Sequence, residues 1–173
     1  MLVASGVFEG RTDDAGRGSV ADTDEGDPLA LDHQLCFSLY AASRALTGLY
    51  RDLLHDLGLT YPQYLVMLVL WERDGLTVKD LSHALHLDSG TLSPLLRRME
   101  QAGLLTRERD SDDERVVRVS ATETGNALSA RAQDIPDRLL CTVGLSPGRA
   151  GELRHALDEI TRAVESAGRR HTG

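Results

Sequence analysis

The sequence has little of what would mark a specialised class. It holds two cysteines, Cys36 and Cys141, too few for the disulfide framework of a small secreted domain. Its longest apolar run, residues 64–71, is far short of the roughly 20 residues a membrane helix needs, so no membrane partner is expected. The opening MLVASGVFEGRTDDAG has no basic stretch followed by an apolar one. No signal peptide is expected there, and the expected location is cytoplasmic. Basic residues are in deficit, with 19 Lys+Arg against 27 Asp+Glu and a net charge of −8. That argues against a protein held on nucleic acid or anionic membrane by bulk charge alone. No internal repeat occurs, and neither does a G-x-S-x-G, Walker or dinucleotide fingerprint. No cofactor is expected.

What is present is an ordinary globular composition, 41% hydrophobic and 27% charged over 173 residues, long enough to bury a real core. The acidity is unevenly placed. Residues 1–30 carry seven acids against Arg11 and Arg17, whereas residues 31–173 carry 20 acids and 17 bases. The first segment is rich in Gly and Asp and shows no apolar period, so it reads as a disordered acidic tail. The remainder is close to neutral, and its cations are arginines except for Lys79. Arginine suits forked phosphate contacts, although a GC-rich genome explains the same bias.

From Leu31 the pattern turns helical. Leu31, Leu35, Leu39, Ala42, Leu46, Leu49, Leu53 and Leu57 form one apolar stripe, predicting a helix of about 26 residues capped by Asp32 and ended by Gly58. That length points to packing against a partner chain. Pro62 opens a second, buried helix over 63–74, closed by Gly75. Thr77 and Asp80 cap a short helix over 78–86. After the turn Leu87-Asp88-Ser89-Gly90, another helix runs from about Ser89 to Gln101 with Leu92, Leu95, Leu96 and Met99 inward. Two short amphipathic helices joined in this way form a helix-turn-helix. The second offers Ser89, Thr91, Ser93, Arg97 and Arg98 outward, groups able to meet phosphates and base edges. Pro94 fits only if it falls near the first turn. Residues 104–109 and 115–121 read as strands joined by the loop 110–114. A helix-turn-helix followed by an Arg-flanked hairpin is a winged helix. Thr122 then caps a helix to about Leu140, bent near Pro136. Ser146 and Pro147 open the last helix, with Leu153, Leu157, Ile160 and Val164 on its inner face.

The segments LDHQLCFSLYAASR, LTYPQYLVMLVLWE, LTVKDLSHALHLDSGTLSPLLRRMEQAGLLTR, DDERVVRVS and AQDIP resemble the MarR family of winged-helix regulators. The likeness is closest to the OhrR-like branch, which senses organic hydroperoxides, and it spans residues 31–138. It implies a mainly α fold with a small β-hairpin wing, assembled as a two-fold homodimer on a pseudo-palindromic double-stranded operator. Residues 31–58 and 122–168 would supply the dimerisation helices, and residues 62–121 the winged helix-turn-helix. The recognition-helix contacts implied are Asp88, Ser89, Gly90, Thr91 and Arg97 or Arg98. Arg115 becomes the wing arginine, oriented by Asp113 and reaching a minor groove. Outside a wing, Asp113 and Arg115 would read as a solvated turn pair of little energetic weight. Segment 76–122 carries seven bases and eight acids, so affinity must come from where the arginines stand.

A lone cysteine on an amphipathic helix is usually a small buried hydrophobe. Cys36 lies within about a turn of the predicted helix start, where the dipole favours a thiolate. Tyr40 follows one turn on, and Tyr50 further along. In the resembled branch a cysteine placed like Cys36 is the peroxide sensor, and tyrosines placed like Tyr40 and Tyr50 hydrogen-bond it from the partner subunit. Simple packing at a dimer seam is the plain reading of those tyrosines. A second cysteine in the region of Cys141 resolves the sensor as an intersubunit disulfide in two-cysteine members; otherwise Cys141 is an idle thiol. The reading that follows is a repressor, not an enzyme, released from DNA by organic hydroperoxide. One alternative is a regulator released by a small aromatic anion. Another is a thiol peroxidase or disulfide oxidoreductase, against which stand the missing C-x-x-C and the missing strand–helix alternation. Asp80, His83 and His86 fall near one helical face, but they suit solvated or DNA-facing positions better than a metal site.

Overall fold

A computed structural model describes residues 27–171 apart from Asp112 and Glu114. The acidic tail expected over 1–30 therefore lies largely outside the described residues. The chain divides into two compact units, Met1–Ala41 and Ala42–Gly173.

In the first unit a single 3₁₀ turn, Leu31–His33, precedes the start of helix α1 (Leu35–Leu53). The continuous helix expected from Leu31 is broken at Gln34, whose backbone is extended. Its side-chain amide donates to the carbonyls of Pro28 (2.6 Å) and Ala30 (3.2 Å), tying it to the preceding turn. Asp32 is not the cap either: Ala30 stands at that position, and Asp32 lies inside the turn. Leu31, Leu35 and Tyr40 are exposed.

In the second unit α1 ends at Leu53, and a 3₁₀ turn, His55–Leu57, takes over up to left-handed Gly58 (φ 66°). Leu53 and Leu54 are both buried. Residues three apart eclipse in a 3₁₀ turn, so Leu54 and Leu57 face the core together. Helix α2 spans Tyr61–Glu72, opened by Pro62 and by Thr60, whose N–H donates to Gln63 Oε1 (2.8 Å). Strand β1 (Leu76–Thr77), too short to leave a period in the sequence, leads into α3 (Val78–Leu85). There Thr77 and Asp80 form the expected capping box. His86 takes the left-handed position at the end of α3 (φ 50°). The turn is thus His86–Asp88, and Ser89 and Gly90 already belong to α4 (Ser89–Gln101).

Strands β2 (Leu105–Arg109) and β3 (Val117–Ala121) form the hairpin, and β1 adds to its other side in the order β1-β3-β2, all antiparallel. The expected bent helix from Thr122 is instead two, α5 (Glu123–Ala132) and α6 (Ile135–Val143). Pro136 has no N–H for the carbonyl of Ala132, so the α ladder stops there. Helix α7 runs Pro147–His171. The core is assembled from Leu54, Met67, Leu81, Leu92, Leu96, Met99, Leu105, Val119 and Ile135, all fully buried. The expected inner face of α7 is not covered within this chain, since Leu153, Leu157 and Val164 are exposed. No helix among the described residues is long and apolar enough to cross a membrane.

Candidate nucleic-acid interface and thiol sites

Helix α4 divides as its sequence requires. Leu92, Leu95, Leu96 and Met99 are buried, whereas Ser89, Gly90, Thr91, Ser93, Arg97 and Arg98 are exposed. Asp88 is the cap, its Oδ1 accepting from the Thr91 N–H at 2.9 Å and its Oδ2 from the Thr91 hydroxyl at 2.8 Å. These two bonds hold the Asp88 carboxyl below its ordinary value, the hydroxyl contributing most. Asp88 and Thr91 thus shape the tip of the helix together. Pro94 lies in the second turn, one turn deeper than expected. The carbonyl it leaves without an N–H is that of exposed Gly90, where water can serve. The far end of α4 is tied to β2, because Arg107 Nη2 and Nε donate to Glu100 Oε2 at 2.8 and 3.0 Å.

In the wing, Asp113 Oδ1 accepts from the backbone N–H of Arg115 at 3.0 Å. The two residues expected to act together are adjacent, but this bond fixes the backbone beneath Arg115, not its guanidinium. Arg115 also lines a groove of about 530 Å³ with Lys79 and Thr77 from the start of α3, Ser93 from α4 and Arg107 from β2. Residue patterning alone did not flag Lys79, which reaches this face through the capping turn at Thr77.

Three tyrosines and a tryptophan form one cluster in the second unit. Tyr50 stacks on Tyr61 (centroids 4.3 Å apart) and leans on Tyr64 (5.9 Å), which meets Trp71 edge-on (6.2 Å). Burial, reinforced by Tyr61 and Tyr64, pushes the Tyr50 phenol up to about 12. Its hydroxyl therefore keeps its proton and stays a hydrogen-bond donor at any physiological pH. In the first unit Cys36 is the second residue of α1 and is exposed, and Tyr40 is 57% exposed one turn on. Cys141, expected just past a helix, lies instead within α6, where its carbonyl accepts from Gly144 in the last turn; its thiol is exposed.

A compact helix-turn-helix with an open second helix and an arginine-bearing hairpin defines a winged-helix DNA-binding protein. Comparison with known proteins agrees. A family model described as transcriptional regulator SarA/Rot matches residues 48–131. The organic hydroperoxide resistance transcriptional regulator of Bacillus subtilis is 48% identical over 140 residues, covering 81% of this chain and 93% of that one. Among solved structures, reduced AbfR bound to DNA, a protein of Staphylococcus epidermidis, is 32% identical with a TM-score of 0.67 over 79% of this chain and 94% of that one. Disulfide-formed AbfR is 34% identical with a TM-score of 0.56, covering 76% and 92%. The chain belongs to the MarR family of winged-helix transcriptional regulators, in its OhrR-like branch. It is a DNA-binding regulator and not an enzyme.

Proposed function

We propose that the chain is a homodimeric, cytoplasmic repressor that leaves its pseudo-palindromic operator when organic hydroperoxide oxidises Cys36. The observation that carries this reading is the exposed thiol of Cys36 in the first turn of α1, in a chain 48% identical to an organic hydroperoxide regulator. In the reduced dimer each α4 enters a major groove with Ser89, Gly90, Thr91, Arg97 and Arg98 at the bases and phosphates, its tip shaped by Asp88. Arg115, on the backbone set by Asp113, enters a minor groove, where an arginine reads width and negative potential. Residues 62–121 form this DNA-binding part, and residues 31–58 and 122–168 the dimerisation helices.

The Cys36 thiol attacks the distal oxygen of the hydroperoxide, giving a sulfenic acid and the corresponding alcohol. Tyr40 and Tyr50 of the partner subunit donate hydrogen bonds to the Cys36 thiolate before attack and to the sulfenate after it, as protonated phenols can. The thiol of Cys141 of the partner subunit then displaces hydroxide from the Cys36 sulfur, and the disulfide forms with loss of water. AbfR, solved both reduced on DNA and in a disulfide form, supports such a two-state cycle. A tenfold loss of DNA affinity needs a change of only about 1.4 kcal/mol, so a modest reorientation of the winged helices suffices.

Gel-shift release by cumene hydroperoxide tests the sensor. Wild type should dissociate and Cys36→Ser should stay bound; release of Cys36→Ser would refute sensing through this thiol. Non-reducing electrophoresis tests the resolver. A covalent dimer should appear after peroxide in wild type and not in Cys141→Ser, and its appearance in both would remove Cys141 from the cycle.

A further inference from the structure

Between the turn that follows α2 and the closing end of the hairpin lies a side-chain link that neither the DNA contacts nor the thiol chemistry uses. Arg118 is the second residue of β3, opposite Thr77 on β1 and Glu108 on β2. Its Nε donates to the carboxylate of Asp110, and its Nη1 donates to the carbonyl of Gly75 at 3.1 Å. Asp110 is the residue at which the hairpin closes, its N–H donating to the Val116 carbonyl at 2.9 Å. Its side chain is only 12% exposed. A carboxylate so far removed from water is costly unless a cation meets it.

A second tether runs in parallel. Asp74 Oδ1 accepts from the Ala121 N–H at 2.9 Å, at the other end of β3. Strand β3 is thus fastened at two points to one turn, Asp74-Gly75, where Gly75 is left-handed (φ 67°). That turn follows the end of α2. The sheet's own attachment to the helices on that side is a strand of two residues, β1. The base of the hairpin is seated by buried Leu105 and Val119, but the loop that carries Arg115 lies at its far end, where a small change of angle becomes a large displacement.

We propose that Arg118 is a wing-positioning residue: by bridging Asp110 to the Gly75 carbonyl it fixes the angle at which the hairpin presents Arg115 to DNA. Arg118 acts through Arg115 and makes no phosphate contact of its own. The proposal rests on the DNA-binding role of Arg115 given above, and its test separates the two.

The probe is a duplex that the purified wild-type protein selects from a random-sequence pool, titrated across a range of salt. Arg118→Gln should bind about five- to tenfold more weakly, in keeping with loss of a coupling between neighbouring groups. The slope of log K against log salt should not change, because no counterion-releasing contact is lost. Arg115→Ala, by contrast, should weaken binding and lower the slope by about one. In an Arg115→Ala background, Arg118→Gln should add little. Arg118→Lys, which keeps the charge for Asp110 but not the fork to Gly75, should recover part of the affinity. A slope lowered by about one in Arg118→Gln would make Arg118 itself a phosphate contact and overturn the proposal. So would full additivity of the two substitutions, which would mean that Arg118 does not work through the wing tip. If Arg115→Ala alone leaves affinity and slope intact, the DNA-binding role of Arg115 fails instead, whatever Arg118 does.

Discussion

At the scale of single residues, Tyr50 shows how packing decides chemistry. Stacked on Tyr61 and leaning on Tyr64, its phenol loses water on one side, and two further phenols lie close by. The ionised form is therefore disfavoured in the fold relative to the open chain. Because the folded value, about 12, stands above the ordinary 10.0, the stability that Tyr50 contributes is fully present below pH 10. It is lost as pH rises from there through about 12. Tyr61 and Tyr64 are raised in the same direction by burial. A phenolate absorbance titration of the four tyrosines should show a class ionising well above pH 10, reduced in Tyr50→Phe. Urea midpoints should fall less steeply between pH 10 and 12 in that variant than in wild type. All four tyrosines ionising together near pH 10 would show that the cluster is open to water. A sequence marks Tyr50 as a candidate; the neighbours that hold its proton come from α2 and appear only when the helices are packed.

At the scale of elements, the legible parts were those that depend on near neighbours in the chain. The capping box of Thr77 and Asp80, a strand within residues 115–121, and the inward set on α4 all stand where the local pattern puts them. Breaks in helices were not legible, because Gln34 and Leu54 interrupt the pattern without disturbing its spacing of three and four. The two-residue strand β1 was also invisible, since its identity lies in pairing with β3. Gly125 belongs to the same class. It follows the cap Thr122, and its N–H donates to the Thr122 hydroxyl at 3.0 Å. Its carbonyl accepts from Trp71 Nε1 at 3.1 Å. A Cβ at this position would stand 2.1 Å from the Leu104 carbonyl oxygen and 3.0 Å from Met67 Cε. Backbone meets backbone there, so α5 must move away from the start of the hairpin to admit even a methyl group. Gly125→Ala should cost about 1–3 kcal/mol, the range for overpacked sites, read as a lower denaturation midpoint. An unchanged midpoint would mean that α5 can shift freely on the wing, and with it that the wing is not rigidly seated.

At the scale of the whole molecule, the charge arithmetic and the exposed apolar surface are what the proposed dimer would account for. Most of the chain's net charge of −8 falls in its first 30 residues, and the remainder is near neutral, so a single winged helix has little net charge with which to hold DNA. Two such heads on one duplex need no more, because binding of the first raises the effective concentration of the second. Helix α7 carries what a second copy would cover: Leu153, Leu157 (44% exposed) and Val164 (65% exposed) lie along one side of it. The three stand at steps of four and seven residues, the period of a helix seam. His86 Nδ1 lies 3.0 Å from Glu165 Oε1, a contact that links α7 to the end of α3. Leu157→Glu places a charge in the apolar row of α7 and should yield a monomer by sedimentation. The winged helix should keep its fold, since Leu157 contributes nothing to the buried core. Affinity for a pseudo-palindromic duplex should drop about a hundredfold or more, while affinity for an isolated half-site changes little. A Leu157→Glu protein that remains dimeric and binds the full duplex as wild type does would place the subunit contact somewhere other than α7.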